Sequence, residues 1–381
     1  MHFFYWSLFV LLWCLAFWGQ RVSLKYQHKL LAVYCAIWAF VFGFRRYDVG
    51  NDTPGYADYF NNIGSGSAYG TIDHPFDTVE EGFWFISKLF NIFTEDATIV
   101  FLIIGVLLWM MIYLLYKKQS KTPLLSLLFL MAISGKVFYT LEIAVRQACS
   151  IIIILFGVIC FVNSRISSWK QLFKSKWAIV GFVLCMASVT VHRTTGMLAA
   201  MLLFVYFVRL NKKICYALVI GFAIFVFFGA EAFGELFDMV LIMVGGVSDD
   251  NVNLLAERYM GDVEEGKIGY SSGAMIGWFF PTLLTVYFTH KERVNNYFFK
   301  LFMFTYCLHQ LMQFSTMHER LITLFMVLGF TASVPEVCYK NKKIYFMYLM
   351  IGIYYLIFTF KMFYDWPLKS DTAVPYYFIW Q

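Results

Sequence analysis

Apolar runs of about the length that crosses a bilayer, roughly 20 residues of helix, recur along this chain and restrict what it can fold into. Only 14% of its 381 residues are charged, against about 25% in a typical soluble domain. Hydrocarbon offers no water to backbone N–H and C=O groups. Each apolar run must therefore satisfy its own, which a helix does and an open sheet edge does not. The expected fold class is all-α: a polytopic integral membrane protein with one membrane domain over 1–381. About 12 spans account for the hydropathy, at 3–19, 30–44, 97–116, 123–140, 147–163, 177–191, 194–208, 214–229, 271–289, 297–316, 321–335 and 344–360. The first run lacks the basic lead and small-residue cleavage site of a signal peptide, so it reads as a retained helix. Most of the eight cysteines fall inside apolar runs without paired spacing, which indicates neither a disulfide framework nor a zinc site.

Charge decides sidedness. Alternate short loops hold Arg21/Lys25/Lys29, Lys117/Lys118/Lys121, Arg165/Lys170/Lys174/Lys176, Arg209/Lys212/Lys213, Lys291/Arg293/Lys300 and Lys340/Lys342/Lys343. Of the 24 acidic residues, only Glu292 and Glu336 share those loops. Basic loops face the cytoplasm, so the termini and two long loops, about 45–96 and 230–270, face outward. The formal charge of +6 therefore reports topology, and nucleic acid is not an expected partner. Two outer segments read as short amphipathic helices. Thr53 is placed to cap one that has Pro54 at its first position and Tyr56, Tyr59, Phe60 and Ile63 on one face. Phe85, Ile86, Leu89, Phe90 and Phe93 make the second stripe. Both aromatic faces are expected to lie on the membrane surface.

The outward side also collects charge at the ends of apolar spans: Arg45, Arg46, Asp48, Asp52, Glu142, Arg146, His192, Arg193, His318, Glu319 and Arg320. One arginine at a helix centre costs ~2.5–3.5 kcal/mol on insertion scales. Arginines gathered on one leaflet point to a shared anion, and the planar guanidinium fork suits phosphate oxygens. A diphosphate on a membrane lipid places such an anion at the right depth. Plainer roles stand beside this one. Glu142 and Arg146 are four apart and can pair along a helix. Asp48 and Asp52 can neutralise Arg45 and Arg46. His192, between two spans with hardly any loop, is either a base or leaving-group contact or a hydrogen-bonded residue of a tight hairpin. Asp249-Asp250 lacks further ligands, and no metal is expected.

Arg46-Tyr47-Asp48-Val49-Gly50-Asn51-Asp52 with Tyr56 resembles the R-x-x-V-G-x-D-x-x-x-Y signature of the EpsG family of Wzy-like polysaccharide polymerases. Glu81-Gly82-Phe83, Val145-Arg146-Gln147-Ala148, His192 with Thr194-Thr195-Gly196-Met197, and Arg320 fit the same layout. The resemblance implies a metal-independent glycosyltransferase, without a cofactor, in the bacterial inner membrane, with its site facing the periplasm. It would transfer a growing glycan from polyprenyl diphosphate to a lipid-linked oligosaccharide repeat unit in O-antigen, capsule or exopolysaccharide synthesis, alongside a chain-length regulator protein. On that reading Arg45, Arg46, Arg146, Arg193 and Arg320 hold the diphosphate. Asp52 is the base with His192 as the alternative, and Tyr56 and Trp84 stack on sugar. An O-antigen ligase shares the arginine-plus-base logic. A flippase needs polar residues through the full membrane depth, near the midplane above all, whereas these charges cluster toward one face.

Overall fold

The computed structural model describes residues 3–50, 52–63, 80–133, 141, 144–166, 168–228, 272–312, 318–329 and 380. Among them stand thirteen α-helices and short 3-10 turns, with no strand. The helices are α1 (Phe3–Gly19), α2 (Leu24–Gly43), α3 (Thr53–Asn62), α4 (Glu81–Asn91), α5 (Ala97–Gln119), α6 (Pro123–Ile133) and α7 (Val145–Asn163). They continue with α8 (Lys176–Ala187), α9 (Arg193–Phe207), α10 (Lys212–Phe228), α11 (Ser272–Phe288), α12 (Tyr297–Met312) and α13 (His318–Gly329). Each expected span up to 321–335 overlaps one of these helices, several of which begin before it. The last span, 344–360, and the outer loop 230–270 with Asp249-Asp250 lie outside the described residues. By length and composition α5 and α7 are long and apolar enough to cross a membrane, and Ser7–Gly19, Lys176–Thr190, Leu198–Phe207 and Trp278–Phe288 are shorter apolar helices.

The chain groups into two compact units, Met1–Val208 with Phe330–Gln381, and Arg209–Gly329. In the first, α2 lies along α5, α5 along α7 and α7 along α8, while α1 and α2 both touch α6. Trp38 stacks on Trp109 with ring centroids 5.9 Å apart, and Phe42, Ile104, Leu108 and Ile112 are buried beside them. The opposite faces of the same helices expose Val33, Phe40, Val106, Phe156 and Val183. Helices apolar on both the packed and the outward side suit lipid rather than water, and their association there rests on close packing. In the second unit, α12 packs on α10 and α13, and α10 on α11. The Tyr306 hydroxyl donates to the Val219 carbonyl at 2.9 Å, which satisfies a phenol inside an apolar interior.

The two amphipathic helices of the segment 45–96 are present as α3 and α4, but only one has a free apolar face. Tyr56, Tyr59 and Phe60 of α3 and Ile63 at its C-cap are all buried. Phe83 of α4 sits among the first three, 6.0 Å from the Tyr56 ring, 5.7 Å from Tyr59 and 6.0 Å from Phe60. Phe60 also meets Phe101 of α5 at 5.9 Å. The α3 stripe is thus a protein core and not a membrane-surface face. On α4 and the turn that follows it the exposed stripe is Phe85, Leu89, Ile92 and Phe93, at the spacing expected of a lipid-facing edge. The Lys88 ammonium donates to the Ile63 carbonyl at 2.7 Å, and the Ala97 N–H to Asn61 at 3.1 Å, tying α3, α4 and α5 together.

Candidate functional site

Adjacent arginines take opposite directions where α2 ends. The Arg45 side chain folds inward and is fully buried. Its guanidinium donates to the Phe42 carbonyl at 2.9 Å and to the Thr53 hydroxyl at 3.3 Å, and stacks 4.3 Å from the Phe42 ring and 4.9 Å from Phe101. It thereby closes the last turn of α2 and joins it to the first turn of α3. Thr53 is accordingly the first residue of α3 and spends its hydroxyl on Arg45, while Asp52 takes the N-cap position without a side-chain capping bond. Arg46 points outward into a two-bond fork with Asp48, 2.6 and 2.5 Å. Those bonds hold the Asp48 carboxyl below its ordinary range. The fork therefore persists at neutral and mildly acidic pH and opens only as pH falls through that lowered value.

The intervening residues build the turn. Val49 donates its N–H to the Arg46 carbonyl at 3.0 Å and is buried, and Thr53 donates to the Gly50 carbonyl at 3.2 Å. Gly50 has φ 91, a conformation that a side chain disfavours. The turn starts α3 so that Tyr56, one turn beyond Asp52, points to α7. The Tyr56 hydroxyl accepts a hydrogen bond from Arg146 Nε at 3.1 Å. Its pKa is raised, by burial first and then by the Asp52 charge, against the opposing pull of Arg146. A phenol kept neutral leaves the arginine its full charge.

Arg146 stands in the first turn of α7, with α3 on one side and Glu80 on the other. Its NH1 donates to Glu80 Oε2 at 2.9 Å, with side-chain exposures of 21% and 12%. The pair is partly desolvated, so its attraction is larger than that of a surface pair. Glu80 Oε1 also accepts from the Arg193 backbone N–H at 3.4 Å, at the positive end of α9. What lets Glu80 reach both is Gly82. A Cβ there would lie 2.3 Å from the Thr190 hydroxyl and 2.7 Å from its carbonyl oxygen, so α4 rests directly on the 3-10 turn Ser188–Thr190. Gly82→Ala is expected to cost about 1–3 kcal/mol through overpacking, read as a lower unfolding midpoint of the detergent-solubilised protein.

His192 is the N-cap of α9. Its Nδ1 accepts from the Thr195 N–H at 3.3 Å and lies 2.8 Å from the Thr195 hydroxyl. An Nδ1 that accepts a backbone N–H has its lone pair engaged, so the hydrogen-bond geometry assigns the neutral ring's proton to Nε2. Nδ1 therefore serves the cap and is not available as a base. Asparagine also caps helices well, whereas alanine does not. His192→Asn is therefore expected to keep the stability of the fold and His192→Ala to lose about 1 kcal/mol, measured by thermal unfolding.

Tyr56, Arg146, His192 and Arg193 are thus brought to one place, with Asp52 one turn from Tyr56. Arg45 lies beneath the site and Arg46 beside Asp48. Arg193 is exposed. Half-buried Trp84 has the Lys88 ammonium 5.8 Å from its ring centre. Arg320 occupies the first turn of α13, in the other compact unit, and its side chain is outside the described part. Glu142 is outside the described residues as well. Glu80 was not among the expected site residues. The signal for it was a carboxylate directly before the Glu81-Gly82-Phe83 motif, with no basic residue four positions on.

The model of the EpsG family matches residues 28–378, nearly the whole chain, and so spans every element of this site. The chain belongs to the EpsG family, a family of Wzy-like polysaccharide polymerases, and its apolar helices fit a membrane protein of polysaccharide biosynthesis. Neither the curated proteins nor the solved structures yielded a match.

Proposed function

We propose that this EpsG-family chain extends a glycan by transferring it from polyprenyl diphosphate to the sugar of a lipid-linked repeat unit, at the outer face of a bacterial inner membrane. The observation that carries this reading is Arg146. It is a cation at the head of a 19-residue apolar helix, aimed by the Tyr56 hydroxyl and Glu80 at the N-terminus of α9. An arginine at that depth suits an anion that sits where lipid meets water. The outer location follows from the basic loops on the opposite side, with about twelve spans as the sequence indicates.

In the reaction, an acceptor hydroxyl oxygen attacks the anomeric carbon of the donor glycan. The bond from that carbon to the diphosphate oxygen breaks, and polyprenyl diphosphate leaves with both electrons. Asp52 takes the hydroxyl proton. Arg146 and Arg193, with Arg46 as a further ligand, stabilise the charge that grows on the diphosphate. His192 donates from Nε2 toward the same departing oxygens. Arg45 and Tyr56 act as positioning residues, the first by closing the α2–α3 turn and the second by holding Arg146. The test is made in cells, by displaying surface and lipid-linked glycans by length. Arg146→Ala should leave glycans of one repeat unit. Unchanged long ladders would contradict the assignment, and loss of the single-unit species would point to transport across the membrane instead.

A further inference from the structure

Glu80 meets Arg146 and the Arg193 amide with both of its oxygens, and these are the two kinds of donor a phosphate group uses: a guanidinium and a helix N-terminal N–H. The carboxylate is nearly enclosed, at 12% side-chain exposure. It arrives from a different element than either donor, across 66 residues from Arg146 and 113 from Arg193. Arg146 is also held by the Tyr56 hydroxyl on a separate helix, so Glu80 is not needed as its only support. A carboxylate on these donors is an anion held where the diphosphate reading above puts another.

We propose that Glu80 is an internal competitor for the diphosphate seat: it occupies the Arg146 and Arg193 donors and yields them to the diphosphate of the lipid-linked donor. The inference rests on that reading. A fixed negative charge a few ångströms from an incoming diphosphate repels it, and in a partly enclosed site the repulsion is weakly screened. The carboxylate therefore has to leave for the substrate to bind fully. Side-chain rotation achieves this without unwinding α4, because the Glu80 backbone carbonyl accepts from the Trp84 N–H at 3.0 Å independently of the side chain. After transfer, the returning carboxylate competes the polyprenyl diphosphate off the same donors and readies the site for the next unit. Glu80 thus sets how tightly the seat holds substrate and product.

The test is calorimetric titration of the purified full-length protein in detergent with inorganic diphosphate, on wild type, Glu80→Gln, Glu80→Asp and Arg146→Ala. Glutamine keeps the shape and removes the charge, so Glu80→Gln is expected to bind about tenfold more tightly. Aspartate shortens the reach and should shift binding the same way by less, which keeps the test available if the glutamine variant folds poorly. Arg146→Ala should bind more weakly than wild type. A purely structural Glu80 predicts the opposite sign, since loosening Arg146 would weaken the seat. Equal or weaker binding in both Glu80 variants, with binding still dependent on Arg146, overturns the competitor proposal alone. Absence of diphosphate binding in every variant overturns it together with the diphosphate reading.

Discussion

Arg146→Ala is expected to lower the rate of glycan extension by roughly two to three orders of magnitude, the usual loss when a transition-state charge stabiliser is removed. Structure and catalysis have to be separated in that variant. Removing one partner of a buried ion pair costs about 3–5 kcal/mol, and the Arg146–Glu80 pair, at 21% and 12% exposure, should fall toward or below the low end of that range. The double variant Glu80→Gln with Arg146→Ala removes the stranded carboxylate. It should recover thermal stability without recovering extension. Arg146→Lys keeps the charge, but a point ammonium cannot reproduce the fork that meets Tyr56 and Glu80 from Nε and NH1 at once. Its rate should fall between wild type and alanine. Recovery of extension in the double variant would reduce Arg146 to a scaffold residue.

Asp52→Asn carries the second large effect, about 10²–10⁴-fold on the chemical step if Asp52 takes the hydroxyl proton. The fold should be nearly indifferent. Asp52 makes no side-chain capping bond, and asparagine serves the N-cap position as well as aspartate. The expected signature is a fall in kcat with little change in KM, alongside an unchanged unfolding midpoint. A near-silent Asp52→Asn with a large kcat loss in His192→Asn would transfer the base to His192. The engaged Nδ1 of His192 argues against that outcome, because a base acting through Nε2 would require the ring proton on Nδ1 and would forfeit the cap.

The sequence makes the helices legible because apolar runs of spanning length leave the backbone one way to satisfy itself. The start of α3 is legible to within one residue, because Pro54 suits the first turn of a helix and the N-cap falls at Asp52, one residue before the expected Thr53. The directions of side chains are not legible in the same way. Arg45 and Arg46 are adjacent and chemically identical, yet the Phe42 and Phe101 rings draw one inward and Asp48 draws the other outward. Neither Phe101 nor its distance from Arg45 follows from spacing. The aromatic stripe of α3 shows the same limit. Four apolar residues at helical spacing face lipid or protein equally well, and the choice depends on Phe83, delivered from another helix. Arg146 has a carboxylate four residues before it in Glu142, the natural local partner on spacing. Among the described residues the carboxylate paired with Arg146 is Glu80, from 66 residues away, and Gly82 lets α4 come down onto the Ser188–Thr190 turn to deliver it. The candidate site is thus assembled by long-range packing from residues that the sequence could flag singly, with Glu80 as the one it did not.

Every role proposed above depends on the chain forming glycosidic bonds between lipid-linked repeat units. That activity is tested most directly by reconstituting the purified protein in lipid nanodiscs with polyprenyl-diphosphate-linked repeat units as the only glycan, and resolving products by length. The predicted result is a ladder of glycans on lipid, with polyprenyl diphosphate released for each unit added and both lost in Arg146→Ala. Folded protein that leaves every repeat unit unextended would rule out glycan extension by this chain.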